Sequence, residues 1–177
     1  MIREAMNDAH PLLGALASIE YPDRARVRMV VIRRFDPANM TLALSTDVRS
    51  AKISQFRRYS VSEMCIWLSE PRVSLRLLTR WSIQQTPADS SSDQSGLDAL
   101  WHAHSSASKA IFFTPPPGMP YHAVRKTRQQ NSIPDTFAIL SGEILEIDAL
   151  QISHAGHTRW HHVRSSAGKW IKRRVNP

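Results

Sequence analysis

A single cysteine, Cys65, occurs in the 177 residues, so no disulfide framework can staple the chain within one copy. That scarcity points to a reducing, cytoplasmic setting, and the surrounding MCIWL reads Cys65 as a small buried core residue rather than a nucleophile. No apolar run approaches the roughly 20 residues that a membrane-spanning helix needs. The opening MIREAMNDAHPLLGALASIE carries acidic residues and lacks the basic-then-apolar layout of a secretory leader, so no membrane partner is expected. Internal repeats are absent. Acidic residues are the scarcer charge: 15 Asp and Glu stand against 23 Lys and Arg, a formal net charge of +8. Such an excess suits nucleic acid, an acidic surface or a phosphorylated ligand. Aromatic residues do not interleave regularly with the arginines, which disfavours nucleic acid.

The length fits one domain, 1–177, with a real core, and 42% hydrophobic against 21% charged residues is ordinary for a globular protein. Leu12, Leu16 and Ile19 lie at i, i+4, i+7 spacing and predict a first helix with Pro11 in its first turn. VRMVVIR (27–33) predicts a largely buried strand, joined through the turn residues Asp36–Asn39 to a second strand, Met40–Leu44, as a hairpin. RSAKISQFRR (49–58) places Ile53 and Phe56 on one side of a short helix, with Asp47 or Ser50 as N-cap.

Further strands are expected at Met64–Leu68, at 72–78 with Val73, Leu75 and Leu77 turned inward, and through Trp81 and Ile83. The stretch 84–96 reads as a mobile surface loop, Leu97–Lys109 as a helix, and 122–136 has no clear pattern. FAILSGEILEIDALQIS, HTRWHHVR and KWIKRRV return to strand character, with turns at Gly156 and Gly168. The sum is a mainly β (α+β) chain: an antiparallel sheet of about six or seven strands with peripheral helices, closing into a barrel.

The segment from Arg28 to Lys52 concentrates the chemistry. Arg28 and Arg33 flank one strand, Ser45 and Thr46 end the next, and Arg49, Ser50 and Lys52 open a helix. A phosphate monoester is held by planar guanidinium forks, a point-like ammonium, hydroxyls and the N–H groups of a helix start, and all four kinds of donor occur here. On spacing alone an ordinary solvated basic hairpin explains the segment at least as well. In a regular strand, moreover, residues five apart point to opposite faces, which separates Arg28 from Arg33.

The run RMVVIRRFD…LSTDVRSAKISQF resembles the FMN-binding core of the pyridoxamine 5′-phosphate oxidase family. LWHAHSSASKAIFFTPPPGMP is similar to the helix and Pro-Gly-x-Pro stretch of a related FMN-binding subgroup, and HTRWHHVRSSAGKWIKRRVNP to the family's closing His-x-Arg, Trp and basic-apolar terminus. The resemblance implies an FMN-binding split barrel acting as a homodimer. Arg28 and Lys52 would hold the phosphate, helped by Arg49, Ser50, Ser45 and Thr46, while Val30, Val31 and Arg33 would border the flavin ring. His157 and Arg159 would reach the flavin from the dimer mate.

Departures limit what carries over. Arg72 replaces a common Gln and would put a cation near the pyrimidine edge of the ring; Lys109 fills the usually basic place in the mid-chain helix. Ala155 or Gly156 stands where the vitamin B6 enzyme has an Arg that grips its substrate, so pyridoxamine 5′-phosphate is a poor candidate. The expected activity is an FMN-dependent oxidoreductase with a small-molecule substrate or nicotinamide donor. The alternatives are a non-catalytic FMN- or heme-binding carrier or sensor of the same barrel, or a basic nucleic-acid-binding barrel. No general base is evident. His154, His157, His161 and His162 have no Cys or carboxylate at a ligand spacing, so no metal is expected. Trp101, Trp160 and Trp170 read as core or interface anchors.

Overall fold

A computed structural model describes residues 1–6, 11–85, 91–120, 132–165 and 167–177, without the side chains of 91–94. After a one-turn helix α1 (Ile2–Ala5) come β1 (Leu13–Glu20), β2 (Arg24–Val31), β3 (Arg34–Asp36), β4 (Thr41–Asp47), α2 (Ala51–Arg58), β5 (Val61–Leu68) and β6 (Val73–Gln85). Then follow α3 (Ser91–His102), α4 (Ser106–Ala110), a 3₁₀ turn (Ile111–Phe113), β7 (Phe137–Gln151), β8 (Thr158–Arg164) and β9 (Trp170–Val175). All strand pairings are antiparallel, in the order β2-β1-β5-β6-β7-β4-β3, with β8 branching from β7 and β9 beyond it.

The branch makes this a split barrel. β6 follows β7 along nearly its whole length, but the opposite edge of β7 changes partner: Phe137–Glu143 pair with β4 and Glu146–Gln151 with β8. A register shift between Leu78 and Thr79 bends β6 where that exchange occurs. The first core fills the barrel, with Leu16, Leu44, Met64, Ile66, Leu77, Leu140 and Ile144 buried against Phe56 of α2. A second, smaller core lies on the other face of β4 and β7, where Leu97, Leu100 and Trp101 of α3 meet Phe112, Phe137 and Ile139.

Several expectations are corrected. Residues 13–20 are a strand, not a helix. The i, i+4 spacing of Leu12 and Leu16 is an even number, so it satisfies strand alternation as well as helical periodicity. The odd one out, Ile19, is exposed, and the inward positions are Gly14, Leu16 and Ser18. Gly14 belongs there because a Cβ would come within 2.9 Å of Met64 Sδ. Among the described residues β2 pairs only with β1, so it is an edge strand, and Val27 and Met29 are 69% and 62% exposed rather than buried. The hairpin to β4 is made by β3, not by 27–33.

Residues 73–85 form one strand where two were expected, and nine strands occur among the described residues. The helical stretch after the turn-rich segment begins earlier and is broken into α3 and α4 by Ala103–Ser105. Of the expected loop 84–96, residues 84–85 end β6 and 91–96 are helical, while 86–90 lie outside the described residues, as do 122–131 of the unpatterned stretch. Cys65 is exposed, because Met64 and Ile66 take the inward positions of β5.

Gly142 is the most closely packed of the glycines. A Cβ there would lie 2.6 Å from Thr79 Cγ2 and 2.7 Å from Trp81 Cζ3, both on the facing strand β6. Gly142→Ala should therefore cost about 1–3 kcal/mol by overpacking, read as a lowered denaturation midpoint against the parent chain.

Candidate functional site

A cleft of about 470 Å³ opens where β2, β4 and the start of α2 converge. Arg28, Val30 and Val31 of β2, Arg33, Ser45 and Thr46 of β4, and Ser50 and Lys52 at the head of α2 all line it. The opposite wall comes from Ser108, Ile111, Phe112 and the proline run Thr114–Pro117. One end is thus rich in donors, and the rest is walled by aliphatic, aromatic and proline side chains, as a ligand with a polar head and an apolar body requires.

Arg28 and Arg33 share this cleft despite their spacing because β2 is not regular through both. It ends at Val31; Ile32 N–H still bonds Leu12 O at 2.9 Å, and Arg33 N–H bonds Ala43 O at 2.9 Å, so the chain changes partner from β1 to β4 between them. The crossover breaks the strand parity.

Lys52 is the most enclosed cation of the group. Its Nζ donates to Thr46 Oγ1 at 2.9 Å and to Ser50 Oγ at 2.8 Å. Burial, and then the neighbouring charge of Arg28, push its pKa below the ordinary lysine range, with Asp47 opposing them. Ser50 is the N-cap of α2, and its hydroxyl makes no capping bond. Burial likewise lowers Arg28, with Arg26 adding to the effect, and lowers Arg33. Among the described residues no carboxylate forms an ion pair with Arg28, Arg33 or Lys52. Asp47 lines the cleft, but Arg49 engages it through Nε at 2.9 Å and Nη2 at 2.6 Å.

The remaining predicted site residues lie elsewhere. Arg49, besides pairing with Asp47, donates to Thr114 O at 3.0 Å; it fastens the proline run to β4 and does not line the cleft. Arg72 sits in the β5–β6 turn at φ 61°, its N–H on Ser69 O and its carbonyl accepting from Ile152 N–H, remote from the cleft of its own chain. Arg159 of β8 pairs with Asp148, which also binds Arg76; these two guanidinium groups, Arg159 first, hold the Asp148 carboxyl down to about 2. His157 lies in the β7–β8 connection, its Nδ1 accepting from Ser153 N–H at 3.4 Å. His161 meets Glu146 at 3.1 Å, and among the described residues no group of three or more His, Cys, Asp or Glu gathers as a metal site would. Trp101 is buried in the second core, whereas Trp160 and Trp170 are partly exposed on the β8–β9 hairpin, Trp160 beneath Lys172.

Two buried polar side chains escape a reading by motif. His104, 6% exposed, lines the cleft between Ser45 and the aromatic rings of Trp101, Phe112 and Phe137. Its Nδ1–H donates to Leu100 O at 2.6 Å, so Nε2 is the acceptor for the Ser45 hydroxyl at 2.8 Å. The signal in the sequence is a polar residue continuing the Leu97, Leu100, Trp101 face at i+3 from Trp101. Gln55, 7% exposed, lies on the Lys52 and Phe56 face of α2 and touches Arg28 from behind.

The fold is an antiparallel split barrel, and its cleft joins a cation- and hydroxyl-rich end to an apolar wall. The family model for the pyridoxamine 5′-phosphate oxidase FMN-binding domain matches residues 1–85, the stretch that supplies the cleft's cations. The pyridoxine/pyridoxamine 5′-phosphate oxidase 2 of Arabidopsis thaliana is 26% identical over 179 residues, covering 96% of this chain and 89% of that one. The crystal structure of a pyridoxamine 5′-phosphate oxidase-related, FMN-binding protein from Nostoc punctiforme superposes with a TM-score of 0.83 at 23% identity, covering 93% of this chain and 88% of that one. That of PhzG from Burkholderia lata, in complex with tetrahydrophenazine-1-carboxylic acid, gives 0.70 at 16% identity, covering 94% and 83%.

Burial, with the charges of Arg33 and Lys109, holds the His104 pKa below its ordinary value. The folded chain therefore takes up this proton less readily than the unfolded chain, and stability falls as pH drops below the ordinary histidine value of about 6.5. His104→Leu should flatten the dependence of the melting temperature on pH between about 7 and 5, relative to the parent.

Proposed function

We propose that this chain is an FMN-dependent oxidoreductase that works as a homodimer on a small-molecule substrate. The observation that carries the FMN site is the pair of enclosed cations, Arg28 and Lys52, without a carboxylate partner at the donor-rich end of the cleft. Buried charges are normally paired, and a phosphate would pair these. The residues present fit the cofactor: Arg28, Lys52, Ser50 and Thr46 would hold the phosphate, while Val30, Val31, Arg33, Ser45 and His104 would border the ring. Bound FMN supplies the electron-transfer chemistry, which no side chain here can provide.

The chain's own contribution is binding, orientation and charge. His104 holds the Ser45 hydroxyl by its proton, which turns the Ser45 oxygen lone pairs to the remaining contacts. Ile111, Phe112 and the proline run form a wall that keeps water from one side of the cleft. The exposed sheet face beside the site favours a second subunit. Leu13, Val27, Met29 and Trp67 are all exposed there, and Met29 also lines the cleft. Such a patch suits an interface, and the family is commonly dimeric. Across it, His157 and Arg159 would approach the partner's flavin, and Arg72 would reach a ring edge only in the assembled pair.

The Arabidopsis relative is named for pyridoxine and pyridoxamine 5′-phosphate. In this chain, the place that the vitamin B6 enzyme gives to an extra Arg holds Ala155 or Gly156, and Gly156 has a φ of 116°, which side chains rarely adopt.

Freshly purified protein should show the visible bands of a flavin, and a colourless chain with no affinity for added FMN would end the proposal; bleaching by a reduced nicotinamide under nitrogen separates an oxidoreductase from a carrier. Arg28→Ala and Lys52→Ala should each weaken FMN binding by about 1.5–3 kcal/mol, measured by titrating the apoprotein. Oxygen uptake with pyridoxamine 5′-phosphate should be poor or absent. Removing the tail from His154 should abolish both the dimer and flavin retention, whereas a single-chain mass in protein still holding FMN would refute the shared site.

A further inference from the structure

Seven arginines among the described residues are paired with acids. Arg24 and Arg26 meet Glu20, Arg49 meets Asp47, Arg76 and Arg159 share Asp148, and Arg80 and Arg164 share Glu143. Arg28 is not among them and is held by neutral acceptors. Its Nη1 donates to Ser18 Oγ at 2.5 Å and, more distantly, to Leu16 O at 3.4 Å, and its Nη2 donates to Gln55 Oε1 at 3.0 Å. Ser18 in turn donates its hydroxyl proton to the same Gln55 oxygen at 2.6 Å.

Ser18 and Gln55 are 4% and 7% exposed, on β1 and α2, so the contacts that fasten the guanidinium are rigid, buried and electrically neutral. The Gln55 amide is oriented by two donors converging on its oxygen, which leaves one arrangement of the triangle. A carboxylate in either place would hold Arg28 as well and cancel its charge.

We propose that Ser18 and Gln55 are positioning residues for Arg28: they fix its guanidinium with neutral acceptors, so that its charge stays available to the phosphate of the ligand. This rests on the reading of Arg28 as a phosphate contact. The residues do not touch the ligand themselves. Their effect is confined to the phosphate, and a flavin without one should not sense them.

The test titrates FMN and riboflavin, which lacks the phosphate, into apoprotein carrying Arg28→Ala, Ser18→Ala, Ser18→Thr, Gln55→Leu, Gln55→Glu or the Arg28→Ala/Gln55→Leu pair. Ser18→Ala and Gln55→Leu should each weaken FMN about tenfold and leave riboflavin unchanged, while Ser18→Thr keeps the parent affinity. Gln55→Glu should melt no lower than the parent yet bind FMN about tenfold more weakly, because its carboxylate neutralises Arg28; this variant and Ser18→Ala decide the matter if Gln55→Leu does not fold. In the Arg28→Ala background, Gln55→Leu should add no further loss. Equal losses of FMN and riboflavin, or parent affinity for FMN in Ser18→Ala and Gln55→Glu while Arg28→Ala is impaired, would overturn the positioning role alone. Parent affinity in Arg28→Ala would overturn the phosphate reading and this proposal with it.

Discussion

Positive charge left without an acidic partner in a half-enclosed cleft is the constraint on which the rest of this structure depends. An enclosed cation is costly unless it is hydrogen-bonded or paired, and the chain meets that cost with hydroxyls, an amide and backbone carbonyls rather than with carboxylates. Lys52 rests on Thr46 and Ser50, and Arg28 on Ser18, Gln55 and Leu16. Asp47, the acid nearest to this group, is bound to Arg49. The depressed pKa of Lys52 expresses the same stored demand for an anion.

The split barrel is what brings these groups together. Arg28 and its acceptors come from β2, β1 and α2, and Lys52 and its acceptors from α2 and β4. β2 and β4 are not sheet neighbours in the strand order; they approach because the sheet curls and the chain steps from one to the other through Ile32 and Arg33. Within that sheet β6 carries a register shift, and Gly142 of β7 packs its bare backbone against Trp81.

Much of the strand pattern was legible. The alternation of Val73, Leu75 and Leu77 lies inward as read, Ile53 and Phe56 are the buried face of α2, and the turns at Gly156 and Gly168 take positive φ values that favour glycine. The first strand was not legible, because the even spacing of Leu12 and Leu16 serves both periods and only the partner strands β2 and β5 decide between them. β2 looked buried because Val and Met sit in it as they would in a central strand; its exposure follows from its edge position, which is a property of the sheet and not of the segment.

The same division runs through the site. Local sequence determined the kinds of donor available, since Arg28, Ser45, Thr46, Ser50 and Lys52 are carried on short elements whose type follows from their own side chains. It also determined that these donors outnumber nearby acids. What tertiary structure alone decided is convergence: that Arg28 and Arg33 face one cleft, that Arg159 of β8 is paired with Asp148 of β7, and that His104 and Gln55 become buried partners of Ser45 and Arg28. Those outcomes depend on contacts between residues far apart in the chain, such as Ser45 with His104, and on which acid reaches which base first. Periodicity within one segment carries no information about either, because both are set by how the strands are ordered and where the sheet bends.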